Sequence, residues 1–230
     1  MAAEFWALTG MALVIGFTHV LLGPDHYVPF IALSKAGKWN LPKTIWITFL
    51  CGTGHILSSV IIGMIGLALG FSVLKLSSIE SSRGEIAGWL LIIFGFSYFI
   101  IALFKTLKSK SKTRKQFFAW NPEQIDDPSG EESSKNSKKI GWILFILFVL
   151  GPCEPLIPLL MVPAAENNLF TAVFVTLVFG ITTIATMLGI VIASWYGLSK
   201  FTSLKLEKFA HPIAGFTVLL CGAAIVFWGL

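Results

Sequence analysis

Two long stretches of this chain, residues 44–73 and 169–198, contain no Lys, Arg, Asp or Glu. About 20 apolar residues in a helix cross the hydrocarbon core of a bilayer, so stretches of this length predict membrane-spanning helices. The composition agrees, because 55% of the residues are hydrophobic and 13% are charged, against about 45–50% and 25% in globular proteins. We therefore predict an all-α integral membrane protein.

Four further apolar stretches are long enough to cross a membrane, which brings the prediction to six transmembrane helices. Between the third and the fourth lies a segment rich in Lys, Ser, Asp and Glu, which predicts a solvated and flexible linker. The predicted organisation is a first three-helix repeat at 1–104, a charged cytoplasmic linker at 105–139 and a second three-helix repeat at 140–230. The six predicted spans are residues 5–33, 44–73, 86–104, 140–163, 169–198 and 209–230.

The basic residues predict how the chain is oriented. If the N-terminus lies outside, 15 of the 17 Lys and Arg residues fall in the inner connections, and only Lys75 and Arg83 fall outside. Lys and Arg accumulate on the cytoplasmic side of membrane proteins. We therefore predict a multi-pass protein of the plasma membrane, of the bacterial inner-membrane type, with both termini outside the cytoplasm.

The two halves resemble each other in sequence. A displacement of 128 residues aligns Gly23-Pro24-Asp25-His26 with Gly151-Pro152-Cys153-Glu154, and Gly52 with Gly180. A displacement of 127 residues aligns Gly88 with Gly215 and Gly95 with Gly222. With three spans in each half, the second repeat must be inverted relative to the first. Inverted repeats with broken helices are typical of secondary transporters, whose substrate site lies between the repeats.

The Gly-Pro pairs at 23–24 and 151–152 lie inside the predicted first and fourth spans. Proline removes a backbone donor and clashes with the preceding turn. Broken backbone at membrane depth is tolerated where it is buried in protein or lines a water-filled cavity. We therefore predict that the first helix of each repeat is broken beside a cavity. The alternative is that these prolines only kink packed helices.

Potential metal ligands gather at these two breaks. An ionisable side chain at mid-membrane costs roughly 2.5–3.5 kcal/mol, so such residues usually mark an ion or substrate path. Imidazole, thiolate and carboxylate all bind transition metals. Ser and Thr can line the same cavity, or they can bond back to the preceding turn. The predicted metal ligands are His19, Asp25, His26, His55, Cys153 and Glu154, and the predicted cavity lining is Ser58, Thr182, Thr183 and Thr186.

Charge balance supports a cation between the halves. Asp25 and Glu154 are the only acids within the six predicted spans, and no Lys or Arg lies within them. Each carboxyl group must then be protonated or neutralised by a cation, because an isolated buried charge is very costly. A divalent ion would neutralise both. Protons could exchange for it, since these ligands bind metal in their deprotonated forms.

The pattern His19-x-x-x-Gly23-x-Asp25-His26 resembles the first-span signature of the HupE/UreJ proteins. More distantly, it is similar to the His-x4-Asp-His signature of the NiCoT nickel/cobalt transporters and the RcnA-like exporters, and Gly54-His55 resembles their second-span histidine. The resemblance implies a nickel or cobalt carrier with His19, Asp25, His26 and His55 on the metal path. The second-half Gly-Pro-Cys-Glu-Pro is closer to CcdA-like and TauE/UreH-like proteins.

The leading hypothesis is a secondary transporter that moves a divalent transition-metal cation by alternating access. Nickel or cobalt ranks first by resemblance, followed by zinc, iron and copper, and the metal is a substrate. No enzyme activity and no organic cofactor are expected. The expected partners are the lipid bilayer, the metal ion and coupling protons. A homo-oligomer is compatible with the sequence, and nucleic acid is not expected because the basic segments lack interleaved aromatic residues.

Two alternatives stay open. One is a CcdA-like transmembrane thiol-disulfide electron carrier, which needs a reactive cysteine in each half. The other is an intramembrane hydrolase that uses a metal held by His and Asp to activate water.

Overall fold

The computed structural model describes residues 2–116, 129–166, 168–200 and 209–229. Within these ranges every regular element is helical, and five helices are long and apolar enough to cross a membrane. The predicted all-α membrane class is therefore confirmed. The helices are α1 (Ala2–Leu22), α2 (Val28–Ala36), α3 (Leu41–Ala68), α4 (Val73–Gln116), α5 (Ser129–Leu150), α6 (Leu156–Ala165), α7 (Leu169–Lys200) and α8 (Ala210–Trp228), with a 3₁₀ turn at Pro24–His26.

The first predicted span is interrupted at Gly23. The Gly23 N–H still donates to the carbonyl of His19 at 3.0 Å, but Pro24 has no N–H and opens the 3₁₀ turn instead. The His26 N–H then donates to the Gly23 carbonyl at 3.1 Å, and α2 begins at Val28. The chain therefore crosses this region as two helices joined by a short irregular segment.

The fourth predicted span is also divided. α5 ends at Leu150 and α6 begins at Leu156, and the apolar parts of the two, Lys139–Leu150 and Leu156–Ala165, are each too short to be a span alone. Pro152 and Pro155 lie between them and cannot donate to the preceding turn. The span predicted over 140–163 is therefore divided at its Gly-Pro pair, where the sequence predicts a break.

The third span begins earlier than predicted. α4 starts at Val73, and the part of it that is long and apolar enough to cross a membrane is Val73–Lys108, whereas the apolar pattern predicts a start at residue 86. Glu80 and Arg83 interrupt that pattern but form an ion pair with each other, and Glu80 is fully buried. Glu80 and Arg83 lie ahead of the predicted start at residue 86, so the charge balance of the predicted spans does not include this pair.

The charged segment 105–139, predicted as a flexible linker, is helical where the structure describes it. α4 continues to Gln116 and α5 begins at Ser129. Residues 117–128 lie outside the described ranges. The division of the chain into two repeats and a linker stays a prediction.

The helices pack in pairs that cross between the two halves of the chain. α1 and α3 pack on α7, α3 also packs on α5, and both α2 and α4 pack on α8. Two apolar clusters fill the interior: one contains Phe30, Cys51, Phe148, Met187 and Cys221, and the other contains Ala12, Ile56, Cys153, Leu156 and Phe179. Many large apolar side chains are exposed on the outside, among them Trp46, Leu57, Phe170 and Phe227, as expected of a lipid-facing surface.

α3 has clear start and stop signals. The Asn40 side chain accepts a hydrogen bond from the Lys43 N–H at 3.1 Å, which caps the N-terminus, and Pro42 occupies the first turn. Beyond the C-terminus, Gly70 has a φ of 68°, a left-handed conformation that favours glycine. Between these ends, α3 carries His55 near its middle.

Candidate metal centre

Three histidines converge from three elements. His19 lies in the last turn of α1, His26 ends the 3₁₀ turn, and His55 projects from α3. Gly23 makes the close approach possible. A Cβ atom at this position would lie 2.7 Å from Nδ1 of His26 and 3.0 Å from the His19 carbonyl oxygen, so a side chain would displace the His26 ring.

The three rings form a compact cluster. Ring centroids are 4.5 Å apart for His19 and His26, 5.2 Å for His26 and His55, and 6.4 Å for His19 and His55. One ring nitrogen from each histidine lies within 4.8 Å of the other two. His26 and His55 are 4% and 3% exposed, so the cluster is shielded from solvent.

Hydrogen bonds indicate which nitrogen is free in the rings of His26 and His55. Nδ1 of His26 lies 3.2 Å from both the Gly23 carbonyl and Oδ1 of Asp25, and Nδ1 of His55 lies 3.3 Å from the Phe148 carbonyl. Carbonyl and ionised carboxylate oxygens only accept hydrogen bonds, so Nδ1 carries the proton in both rings. Nε2 is then left with a lone pair. In the described structure the Nε2 atoms of His19, His26 and His55 are all buried without a hydrogen-bond partner.

This arrangement fits a transition-metal ion. A buried polar atom without a partner is costly, and three of them in one cluster of rings need an explanation. Nitrogen ligands at about 2.1 Å from a tetrahedral metal lie about 3.4 Å from one another. Ring nitrogens spaced at up to 4.8 Å would therefore each move inward by up to about 0.8 Å. A second hydrogen bond from the ring to carboxylate or carbonyl is the usual way in which metal-binding histidines are oriented.

Two cavities adjoin the cluster. The larger, of about 470 Å³, is lined by three carboxylates, those of Asp25, Glu85 and Glu154, together with His19 and His26. Among the residues that the structure describes, no Lys or Arg lines it. The smaller, of about 30 Å³, lies behind the rings and is bordered by Asp25, His26, His55, Phe148 and Gly151. The cluster is thus reached through a cavity with acidic walls.

Comparison with known families identifies the family of this chain. Residues 28–224 match the family model described as the cytochrome c biogenesis protein transmembrane region. The chain belongs to this family. Membership indicates a membrane transporter or electron carrier, and it fits the resemblance to CcdA-like and TauE-like proteins without supporting a nickel/cobalt transporter family in particular. No curated protein and no solved structure matches the chain.

In this member of the family, the other predicted ligands take different places. Asp25 lies next to His26 and hydrogen-bonds its ring, so it orients that ring. Glu154 is exposed and lines the larger cavity. Cys153 is fully buried in the second apolar cluster. Among the described residues, the group whose ligand atoms converge consists of His19, His26 and His55, so the structure brings together three of the six predicted ligands.

The predicted hydroxyl lining lies elsewhere. Thr182 and Thr186 donate to backbone carbonyls one turn earlier, at 2.8 and 2.7 Å. Thr183 is buried against Gly16. Ser58 donates to the His55 carbonyl at 2.8 Å. These four residues are not part of the lining of either cavity described above.

Sequence reasoning missed a polar network beside the cluster. Glu80 accepts from the Ser59 hydroxyl at 2.8 Å and from the Cys153 N–H at 3.0 Å, and it pairs with Arg83. Arg83 in turn donates to the carbonyls of Val149 and Gly151. The i, i+3 spacing of Glu80 and Arg83 is the one sequence signal that indicates a helical pair.

Proposed function

We propose that this protein is an intramembrane carrier for a divalent transition-metal cation, bound as substrate by His19, His26 and His55. The observation that carries the proposal is that one nitrogen of each ring lies within 4.8 Å of the other two, and that all three Nε2 atoms are buried without hydrogen-bond partners in the described structure. A metal ion would satisfy all three. The proposal involves no enzyme activity and no organic cofactor.

The donor set supports a first-row metal. Imidazole suits nickel, cobalt, copper, zinc and iron, whereas magnesium and calcium prefer oxygen ligands. The first-half motif places nickel and cobalt first for testing. The carboxylates of Asp25, Glu85 and Glu154 would attract a cation into the larger cavity, because aligned charges of one sign in a cleft raise the local concentration of the opposite ion. Protons are the proposed coupling ion, since ring protonation and metal binding exclude each other.

Reciprocal glycine contacts support an inverted repeat of six spans. A Cβ at Gly95 would lie 3.0 Å from the Gly215 carbonyl, and one at Gly222 would lie 2.8 Å from the Gly88 carbonyl. The repeat aligns Gly95 with Gly222 and Gly88 with Gly215, so each contact is the image of the other. Because α4 and α8 run antiparallel at this interface, a two-fold rotation axis that exchanges them is perpendicular to both helices.

A second interface shows the same exchange. A Cβ at Gly52 on α3 would contact Ile184 on α7 at 3.4 Å, and a Cβ at Gly180 on α7 would contact Ile56 on α3 at 3.5 Å. The displacement of 128 residues converts one pair into the other. A two-fold axis in the membrane plane supports alternating access, in which two related halves rock about a central site. With both termini outside, as the basic residues favour, the larger cavity at the C-terminal end of α8 would face outward.

Flux into proteoliposomes tests the proposal. The full chain is reconstituted and uptake of Ni²⁺, Co²⁺, Zn²⁺, Mn²⁺ and Cu²⁺ is measured, and we expect at least one to move. His26→Ala removes a ligand and should abolish that flux. His211→Ala is the matched control, since His211 lies outside the cluster and bonds to Tyr98. If no metal moves, or if the His26 variant matches the wild type, the proposal is wrong.

A thiol-disulfide electron carrier is the second candidate, and the family match favours it over a carrier restricted to nickel and cobalt. In that reaction two cysteine thiols reduce a disulfide of a partner protein, passing on two electrons and two protons and forming an internal disulfide. Here Cys51, Cys153 and Cys221 are free and buried, and Cys153 lies in a different apolar cluster from the other two.

A variant with all three cysteines replaced by alanine separates the two functions. A metal carrier that depends on imidazole should keep its flux in this variant, whereas an electron carrier must lose all transfer to a disulfide substrate. Loss of both metal flux and electron transfer, in a variant that stays folded, would favour the electron carrier.

A further inference from the structure

We infer that Glu80 and Arg83 are positioning residues, which hold the broken helix of the second half so that its backbone orients His55 for metal binding. The inference rests on the proposed function, since it concerns the same centre. Neither residue lines the two cavities described above, and Glu80 is fully buried.

Arg83 holds the end of α5. The last carbonyls of a helix lack partners within the helix, and Pro152 and Pro155 prevent the chain from continuing. Nη2 of Arg83 donates to the Val149 carbonyl at 2.8 Å and to the Gly151 carbonyl at 3.1 Å. The orphan carbonyls at this break are therefore satisfied by a side chain from the other half.

The segment that Arg83 holds also contains the hydrogen-bond partner of His55. The Phe148 carbonyl, one residue before Val149, accepts from Nδ1 of His55 at 3.3 Å. The Gly151 N–H also donates to Phe148 at 3.1 Å. Fixing Val149 and Gly151 therefore fixes the acceptor that determines which nitrogen of His55 faces the cluster.

Arg83 reaches the same histidine from a second direction. Its Nη2 donates to the Ser58 hydroxyl at 2.9 Å, and that hydroxyl donates to the His55 carbonyl at 2.8 Å. One guanidinium thus connects the helix turn that carries His55 to the backbone that orients its ring. A planar group with several fixed donors is suited to this, whereas an ammonium is not.

Glu80 makes a buried guanidinium tolerable. It pairs with Arg83 and accepts hydrogen bonds from the Ser59 hydroxyl at 2.8 Å and from the Cys153 N–H at 3.0 Å. Through Cys153, Glu80 also holds the segment between α5 and α6. Removing one partner of a buried ion pair leaves an uncompensated charge, which is strongly destabilising. The informative variant therefore neutralises both residues together.

The test is a Co²⁺ titration of the purified full chain, followed by its visible absorption spectrum, with thermal unfolding measured in parallel. The double variant Glu80→Gln/Arg83→Met should stay folded but bind Co²⁺ about 10- to 100-fold more weakly and with an altered spectrum, as is typical when a residue that orients a metal ligand is lost. Arg83→Lys, which keeps the charge, should fall between the double variant and the wild type. Lys75→Gln, which removes an exposed cation of the same helix, should bind as the wild type does.

A folded double variant with wild-type affinity and spectrum would overturn the inference and leave the proposed function intact. A wild type that binds no Co²⁺ and no other metal of the panel would overturn both. If the double variant does not fold, Ser58→Ala decides, because it removes the link between Arg83 and the His55 turn without changing charge. Unchanged Co²⁺ affinity in that variant would overturn the inference, and weaker binding would support it.

Discussion

Replacing Gly23 by alanine should weaken metal binding without unfolding the protein. Gly23 has φ −94° and ψ 90°, close to a conformation that alanine adopts freely, so backbone strain is small. The new Cβ, however, would lie 2.7 Å from Nδ1 of His26 and 2.9 Å from Oδ1 of Asp25. Ordinary contacts are about 3.4 Å or longer, so the His26 ring must retreat by about 0.7 Å.

A displacement of this size is large for a metal ligand. Metal–nitrogen distances are held within about 0.2 Å of 2.0–2.1 Å, so His26 could not stay in place as a ligand while its neighbours do. We expect Ni²⁺ or Co²⁺ affinity to fall by about 10- to 100-fold, the range seen when a ligand loses its orientation. Calorimetric titration of the purified protein measures the affinity, and thermal unfolding measures the stability.

Gly10→Ala is the matched control for this change. Gly10 lies on α1, the helix that ends just before Gly23, and an added Cβ would have no atom within 4 Å. Alanine there should leave the affinity unchanged and stabilise the helix by up to about 1 kcal/mol. If Gly23→Ala binds metal as tightly as Gly10→Ala, then His26 does not bind the metal from the position described here, and the steric argument is refuted.

Three further outcomes are expected. Asp25→Asn keeps the shape of the side chain but weakens its hydrogen bond to His26, so metal affinity should fall by about 10-fold; equal affinity would show that Asp25 does not orient the ring. A metal ion at 100 times its Kd should raise the free energy of unfolding by about 2.7 kcal/mol in the wild type, and chelation should reverse this increase. An equal increase in the His26→Ala variant would show that His26 does not bind the metal. Gly95→Ala places a Cβ 2.4 Å from the Leu219 nitrogen and should destabilise the protein by about 1–3 kcal/mol. Gly197→Ala, where no atom lies within 4 Å of the added Cβ, should cause no loss of stability, and thermal unfolding measures both variants.

Much of the fold follows from local sequence, because a bilayer admits few structures. Backbone groups in hydrocarbon must be satisfied within the segment, so long uncharged stretches such as 44–73 and 169–198 have to be helices. Proline acts locally as well, since the missing donors of Pro24 and Pro152 disrupt any helix around them. These features explain why the all-α class could be predicted from residues alone.

The start of α4 could not be predicted in the same way. Glu80 and Arg83 look unfavourable in a span when each is considered alone. Their burial is acceptable because each satisfies the other and because Ser59, Val149 and Cys153, from other helices, complete the hydrogen bonds. A hydropathy sum treats each residue as independent. It therefore does not detect that the cost of burying Glu80 and Arg83 falls when the two side chains pair with each other.

In the candidate metal centre, too, some features follow from local sequence and others from tertiary packing. The sequence by itself determined that imidazole and carboxylate groups stand beside a Gly-Pro break in a membrane helix, because residue type and proline chemistry are local properties. Only the tertiary structure decided which of the six predicted ligands converge, namely His19, His26 and His55. It also decided that Asp25 orients a ring and that Cys153 bonds through its backbone to Glu80. The physical reason is that ligand geometry depends on distances between helices, which are set by packing across the whole bundle.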